Sequence, residues 1–339
     1  MPSKWTPGFL AMFCLVTSCP ALAAEQPADP FLGDWQGEGL VAQVIPRGGG
    51  AYQINFLPEF DARCEPLAVV EARLDGDVLR FEQSGWSGQV RGNRFTGTRP
   101  AEGNAAAFKL KRVARLSPRV GAKPPPKAVV LFDGSGFEQW QVHRSEDPAE
   151  PIAWELCDGF MRVAPTGEAE GPRHSIVTKE AFSDFRLHLE FRLPLMADKT
   201  GQARANGGLV FEDYRWYEVQ ILDSYGLEGL DNECGGIYRV AAPAVNMCRP
   251  PLMWQAYDVE YHASKYDAEG NRVRPARISV VHNGKPIHSD VELPPVEPSP
   301  RRRKAAPPQV VVGRILLHYH KDPVEYGNIW VEPLGEPGK

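Results

Sequence analysis

Near the end of the chain two histidines, His318 and His320, are separated by a single residue. On an extended strand that spacing turns both rings to one side, because successive side chains alternate. An imidazole titrates near physiological pH and ligates metals when neutral, so the pair suits proton transfer or chelation. Far earlier stands Trp216-Tyr217-Glu218-Val219-Gln220-Ile221-Leu222-Asp223. As a strand it puts Tyr217, Val219 and Ile221 on an apolar face and Trp216, Glu218 and Gln220 on the other. An aromatic ring beside a carboxylate and an amide suits a sheet that handles sugars; the plainer alternative is side chains that face water. Asp223 leaves at the strand end and could turn toward the same cleft. Asn206, ahead of Gly207-Gly208, is a candidate polar contact at a close backbone approach, or simply part of a turn. Tyr238 and Trp254 could stack on the apolar face of a sugar or fill the core.

These side chains need a scaffold of strands. The 339 residues include 32 Gly and 32 Pro, which suits short strands and turns, and no segment has the long periodicity of a crossover helix. Phe185-Arg-Leu187-His-Leu189-Glu-Phe191-Arg-Leu193 alternates with period two. Tyr257–His262 and Ile278–His282 follow, the latter ending at the hairpin dipeptide Asn283-Gly284. Val310–His320 and Tyr326–Val331 make a final pair. The expectation is an all-β fold: an antiparallel sandwich over residues 129–335, preceded by a small all-β unit over 31–115. Between them, residues 116–128, with Ser117-Pro118 and Pro124-Pro125-Pro126, read as a stiff, extended connector.

A formal charge of −5 gives no broad basic footprint for nucleic acid. Lys4, the apolar stretch Phe9–Val16 and Ala21-Leu22-Ala23 read as an export signal over residues 1–23. Val16-Thr17-Ser18-Cys19 offers a competing reading as a lipobox, with Cys19 lipidated. The expected location is periplasmic or extracellular, or else lipid-anchored, and no other segment could cross a bilayer. Export permits disulfides: Cys234 with Cys248 is the favoured pairing and Cys64 with Cys157 the second, with four unbonded thiols as the plainer alternative. The run Arg301-Arg302-Arg303-Lys304, in a Pro-rich stretch, reads as a solvated loop with a lesser reading as an acidic-partner grip.

A set of short motifs occurs in a telling order. It begins with Leu131-Phe132-Asp133-Gly134 and Trp140, then Trp154 with Asp158-Gly159. Next come Asn206-Gly207-Gly208-Leu209, Tyr217 to Asp223, and Gly236-Ile237-Tyr238. Trp254-Gln255-Ala256-Tyr257-Asp258, His282-Asn283-Gly284, Gly313 to His320 and Asn328-Ile329-Trp330 complete it. In this the chain resembles the 3-keto-disaccharide hydrolase domain family. The resemblance implies a concanavalin-like jelly roll and cleavage of an oligosaccharide or glycoside already oxidised to a ketone at C3. A C3 carbonyl acidifies the hydrogen on C2, so a base can form an enolate that expels the C1 substituent, after which water adds. Ordinary glycosidases instead use two carboxyl groups around an oxocarbenium-like transition state. His320 matches the histidine of the family's Gln-Asp-His ending, which implies the base, with Glu218 and Asp223 beside it. The same chemistry leaves room for a divalent cation at the C3 ketone, although no ligand spacing specifies one. The chain departs from the family at His318, where Gln is usual, at Tyr319, where Asp is usual, and at Gly327, in place of Arg. A non-catalytic, lectin-like carbohydrate-binding module is therefore the alternative, and a docking role for the N-terminal unit the third.

Overall fold

The computed structural model describes residues 29–164, 175–212, 216–295 and 311–335. The export signal, the lipobox and the Arg301–Lys304 run lie outside the described residues.

Eight strands close a barrel in sequence order: β1 (Gly33–Gly37), β2 (Leu40–Pro46), β3 (Ala51–Leu57), β4 (Ala68–Asp75), β5 (Val78–Gln83), β6 (Trp86–Arg91), β7 (Arg94–Pro100) and β8 (Ala105–Val113). Neighbours are antiparallel, and β8 pairs back onto β1. Alternation sends Trp35, Phe56, Phe81, Phe95 and Phe108 inward, where they meet Trp86 and one another. Phe56 stacks on Trp86 with ring centroids 4.2 Å apart. An eight-stranded barrel is just wide enough for side chains to fill, and here aromatics fill it.

The remainder is a sandwich. Its smaller sheet has five strands in the order β10 (Trp140–Val142), β13 (Ile176–Thr178), β22 (Arg314–Leu317), β15 (Gly207–Glu212) and β16 (Trp216–Ile221). The larger runs β11 (Glu155–Leu156), β12 (Met161–Arg162), β23 (Glu325–Pro333), β14 (Phe185–Arg192), β17 (Trp254–His262), β20 (Arg277–His282) and β21 (Lys285–Glu292), with β9 (Val129–Phe132) on β23. A short hairpin, β18 (Lys265–Tyr266) and β19 (Arg272–Arg274), stands apart. Leu187, Leu189 and Phe191 from the larger sheet and Leu209, Phe211, Val219 and Ile221 from the smaller meet in one buried core. Truncating any of them to Ala should cost about 2–5 kcal/mol.

Two details depart from the expectations above. The last two long segments do not pair. Strand β22 joins β13 and β15 in the smaller sheet, whereas β23 joins β14 in the larger. The chain crosses between sheets after His320, through Lys321 with φ 69°. No disulfide joins Cys64, Cys157, Cys234 or Cys248. Cys234 and Cys248 are hydrogen-bonded neighbours, and the Cys234 thiol instead meets the Tyr257 hydroxyl at 3.2 Å.

The connector is laid onto the outer face of the larger sheet. Arg119 makes two bonds to Asp258, at 2.7 and 2.8 Å. The Gly121 amide donates to Glu190 (2.6 Å), and Asn328 donates to both Glu190 (2.6 Å) and the Ala122 carbonyl (2.9 Å). The barrel is tied down as well. Buried Asp34 accepts from the Tyr225 hydroxyl (2.7 Å) and from Arg115 (2.8 Å), and Asn55 donates to the Gly226 carbonyl (2.7 Å). A cleft of about 460 Å³ lies at this junction, lined by residues that include Gln43, Phe60 and Glu228.

Candidate functional site

Strand β16 faces the way its alternation requires. Tyr217, Val219 and Ile221 enter the core, which leaves Trp216, Glu218 and Gln220 on the outer face of the smaller sheet. The β15–β22 pairing continues one residue beyond Leu317, because the His318 amide donates to the Gly208 carbonyl at 2.9 Å. That sets His318 beside Gly208, whose own partner on β16 is Gln220; Glu218, opposite Val210, reaches diagonally over Gly208 toward His318. Glycine lets Glu218 lie where it does: a Cβ on Gly208 would collide with Glu218 Oε1, pushing that side chain aside, and would lie 3.2 Å from the His318 Cβ.

Three polar atoms meet there. His318 Nδ1 lies 3.1 Å from Glu218 Oε1 and 3.1 Å from His320 Nε2. Each of the three residues offers one ligand atom, all within 4.8 Å of one another, and no other described residues form such a metal-ligating group. Trp216 meets the His318 ring edge-on at 5.4 Å, and His143 lies 6.1 Å beyond Trp216. His320 is exposed, yet desolvation of the inner part of its ring, with His318 beside it, pulls its pKa from 6.5 to about 4. It is neutral at pH 7, with a lone pair to offer.

A second row of residues fixes this arrangement. The Asn206 amide donates to Asp322 Oδ2 at 2.7 Å, pinning the segment that carries His320 to the start of β15. Ala205 (φ 51°) and Lys321 (φ 69°) flank that contact in left-handed backbone, a cost that non-glycine residues accept where the surroundings overdetermine the conformation. The Asn206 side chain donates to the Gln202 carbonyl at 2.8 Å, and Gln220 donates to Gln202 Oε1 at 3.1 Å. Asn206 and Gln220 are thus buried supports at the edge of the cluster.

Other candidates stand elsewhere. Asp223 turns inward and forms a buried ion pair with Arg204 at 2.6 Å, so it does not reach the open face. Alternation ends at Ile221, and the backbone beyond it is governed by the bond from the Asp223 amide to the Arg204 carbonyl. Trp254 belongs to the larger sheet, paired with Arg192, whose guanidinium lies 5.0 Å from its ring. Tyr238 lies along the edge of β16, its amide donating to the Glu218 carbonyl at 2.9 Å, with Arg239 over its ring. His282 is a core residue: burial takes its pKa to about 3, and it bonds Gln255 at 3.1 Å. Gly327 pairs with Glu190 on the larger sheet, where a Cβ would meet the Trp254 ring, so that departure from the family falls outside the cluster. His318, by contrast, sits at the cluster's centre. Sequence reasoning did not single out Gly208 or Asp322; only the motif around Asn206 hinted at the first.

Two sheets packed face to face, with a histidine–carboxylate cluster beside a tryptophan on one outer face, describe an all-β protein of the concanavalin-like, carbohydrate-active class. The chain belongs to the family of the 3-keto-alpha-glucoside-1,2-lyase-like domain, whose model matches residues 127–332. Among solved structures it is similar to a presumed glycosyl hydrolase from Parabacteroides distasonis ATCC 8503, with 27% identity, 62% of this chain and 85% of that chain covered, and a TM-score of 0.51. A second from that organism has 18% identity, coverage of 61% and 94%, and a TM-score of 0.43. A third has 21% identity, coverage of 61% and 100%, and a TM-score of 0.40. No curated protein matches the sequence.

Proposed function

We propose that this chain is an exported enzyme that cleaves glycosides bearing a ketone at C3, by elimination across C1 and C2 followed by hydration. The observation that carries the reading is the convergence of Glu218, His318 and His320 on the outer face of the smaller sheet beside Trp216. The family described above supports it. The reaction needs a base for the C2 hydrogen, an electrophile for the developing enolate oxygen, and an acid for the departing C1 oxygen. Two proton acceptors are at hand, the Glu218 carboxylate and the neutral His320 ring. The C2–H electron pair moves into the enolate, the enolate breaks the C1–O bond, and the departing oxygen takes a proton. Water then adds across the new C1–C2 double bond to leave the free 3-keto sugar. Trp216 supplies a ring for the sugar's apolar face. Residues 1–23 would direct export.

The test is incubation of the purified chain with a 3-keto-glucoside in D2O, following aglycone release and exchange at C2. Release with exchange is expected for the native chain, and both should fall together in Glu218→Gln and His320→Ala. Tight binding of the keto-glycoside with neither release nor exchange would replace this reading with a carbohydrate-binding module.

A further inference from the structure

The contacts of His318 Nδ1 do not close as ordinary hydrogen bonds. This one ring nitrogen lies 3.1 Å from an acceptor, Glu218 Oε1, and 3.1 Å from another ring nitrogen, His320 Nε2. If Nδ1 carries its hydrogen, it can donate to Glu218, and His320 Nε2 is left facing an N–H aimed elsewhere. If Nδ1 carries none, His320 Nε2–H can donate to it, and the Glu218 oxygen is left facing a lone pair. Neither tautomer satisfies both contacts when the rings are neutral. Among the described residues Glu218 pairs with no Arg or Lys that could relieve the second arrangement.

We infer that Glu218, His318 and His320 bind one divalent transition-metal ion. A cation at their centre accepts all three lone pairs at once. Donors about 2.1 Å from such an ion stand about 3.0 Å apart in octahedral geometry and about 3.4 Å apart in tetrahedral, which brackets the observed contacts. Two imidazoles and one carboxylate are the donor set of zinc, manganese, iron or cobalt sites, whereas Mg²⁺ and Ca²⁺ prefer oxygen alone. Three protein ligands leave positions open on the exposed side for water or a substrate oxygen. Gly208 keeps the space between the first two ligands clear, and the Asn206–Asp322 bond anchors the third.

The use of the ion rests on the proposed function: it is the electrophile that reaction lacks, set to hold the C3 oxygen as charge develops there. The two histidines then act as ligands, and Glu218 Oε2, which takes no part in the contacts to His318, is placed to receive the C2 proton. Binding itself can be measured without any substrate. Metal-depleted chain is titrated with Co²⁺ and Zn²⁺ by calorimetry, and the visible absorption of the Co²⁺ form reports its ligands. One ion per chain is expected, unaffected by millimolar Mg²⁺ or Ca²⁺. His318→Ala, His320→Ala and Glu218→Gln should each weaken binding at least tenfold to a hundredfold. His188→Gln, on the other sheet, should bind as the native chain does, and matching melting temperatures of the metal-free variants exclude misfolding. Stoichiometry below one, or full affinity in His318→Ala, overturns the inference. Keto-glycoside turnover by chain stripped of metal would overturn the ion's part in the reaction and leave the function standing. One tightly bound ion with no turnover would do the reverse.

Discussion

Each sheet of the sandwich carries a histidine–carboxylate cluster on its outer face, and the two are finished in opposite ways. On the larger sheet His188 bonds Asp258 at 2.8 Å and Glu190 at 3.2 Å, and Trp330 stacks on its ring. Asp258 takes Arg119; Glu190 takes the Gly121 amide and Asn328. Each histidine nitrogen has its own carboxylate, and the connector covers the whole. On the smaller sheet two partners compete for one nitrogen of His318, and among the described residues the cluster is exposed on the His320 side. The same residue types thus serve as a latch where every pairing closes, and as a site where one does not. Buried polar groups stabilise when satisfied. The unsatisfied set is where a ligand has something to gain.

The largest effect should fall on the open cluster. Glu218→Gln and His320→Ala are expected to lower keto-glycoside turnover by about 10²–10⁴-fold, the usual worth of a positioned proton acceptor or the group that activates one. Neither should lower the melting temperature appreciably. If either variant turns over normally, the smaller sheet is not the catalytic face.

The latch should show the opposite pattern. Glu190→Ala removes a nearly buried carboxylate and strands the Gly121 amide, at about 2–3 kcal/mol of stability by denaturant titration, with turnover per folded molecule unchanged. Its pH dependence has a definite shape. Desolvation works against the charge on His188, but Asp258 and Glu190 outweigh it and raise the pKa above 6.5. That stabilisation is whole below about pH 6.5 and is lost as pH climbs through the raised value. Burial likewise opposes the charge on Asp258 and Glu190, yet Arg119 and His188, and His188 and Asn328, hold their pKa values below 3.8 and 4.5. Their contribution is whole above about pH 4.5 and is lost as pH drops through the lowered values. Stability from the latch should therefore peak between about pH 4.5 and 6.5, and His188→Gln should flatten the alkaline side. An unchanged pH profile in that variant would show that the three groups are not coupled.

A smaller effect probes how the open cluster is held. Gly208→Ala puts a methyl where Glu218 Oε1 now lies, which should weaken cation binding and turnover by about tenfold at a modest cost in stability. Full activity would mean that Glu218 does not work from its observed position.

These two clusters were not equally legible in the sequence. Period-two alternation sorts Glu218 from Val219, and the single-residue spacing of His318 and His320 puts both on one side; local geometry suffices for both. The same alternation turns His188 and Glu190 outward but says nothing of what covers them, because Arg119 and Gly121 arrive from a segment far earlier in the chain. Asp223 misleads for a related reason: it follows the last residue of β16, where alternation no longer governs, and Arg204 draws it inside. Tertiary partners of charged groups are long-range facts. Strand faces are local ones.

The smallest expected difference separates two tryptophans that sequence reasoning treats alike. Trp216 borders His318 on the open face, and its loss should raise KM for a keto-glycoside about tenfold, the worth of one stacking contact, while leaving kcat nearly unchanged. Trp254 lies on the other sheet against Arg192 and Phe160, so Trp254→Ala should cost about 1–2 kcal/mol of stability and alter KM by no more than about twofold. Side-by-side kinetics of the two variants measure how far recognition extends beyond the cluster. A large KM change in Trp254→Ala would require the sugar to reach across both sheets, and the division of labour between the two faces would fail.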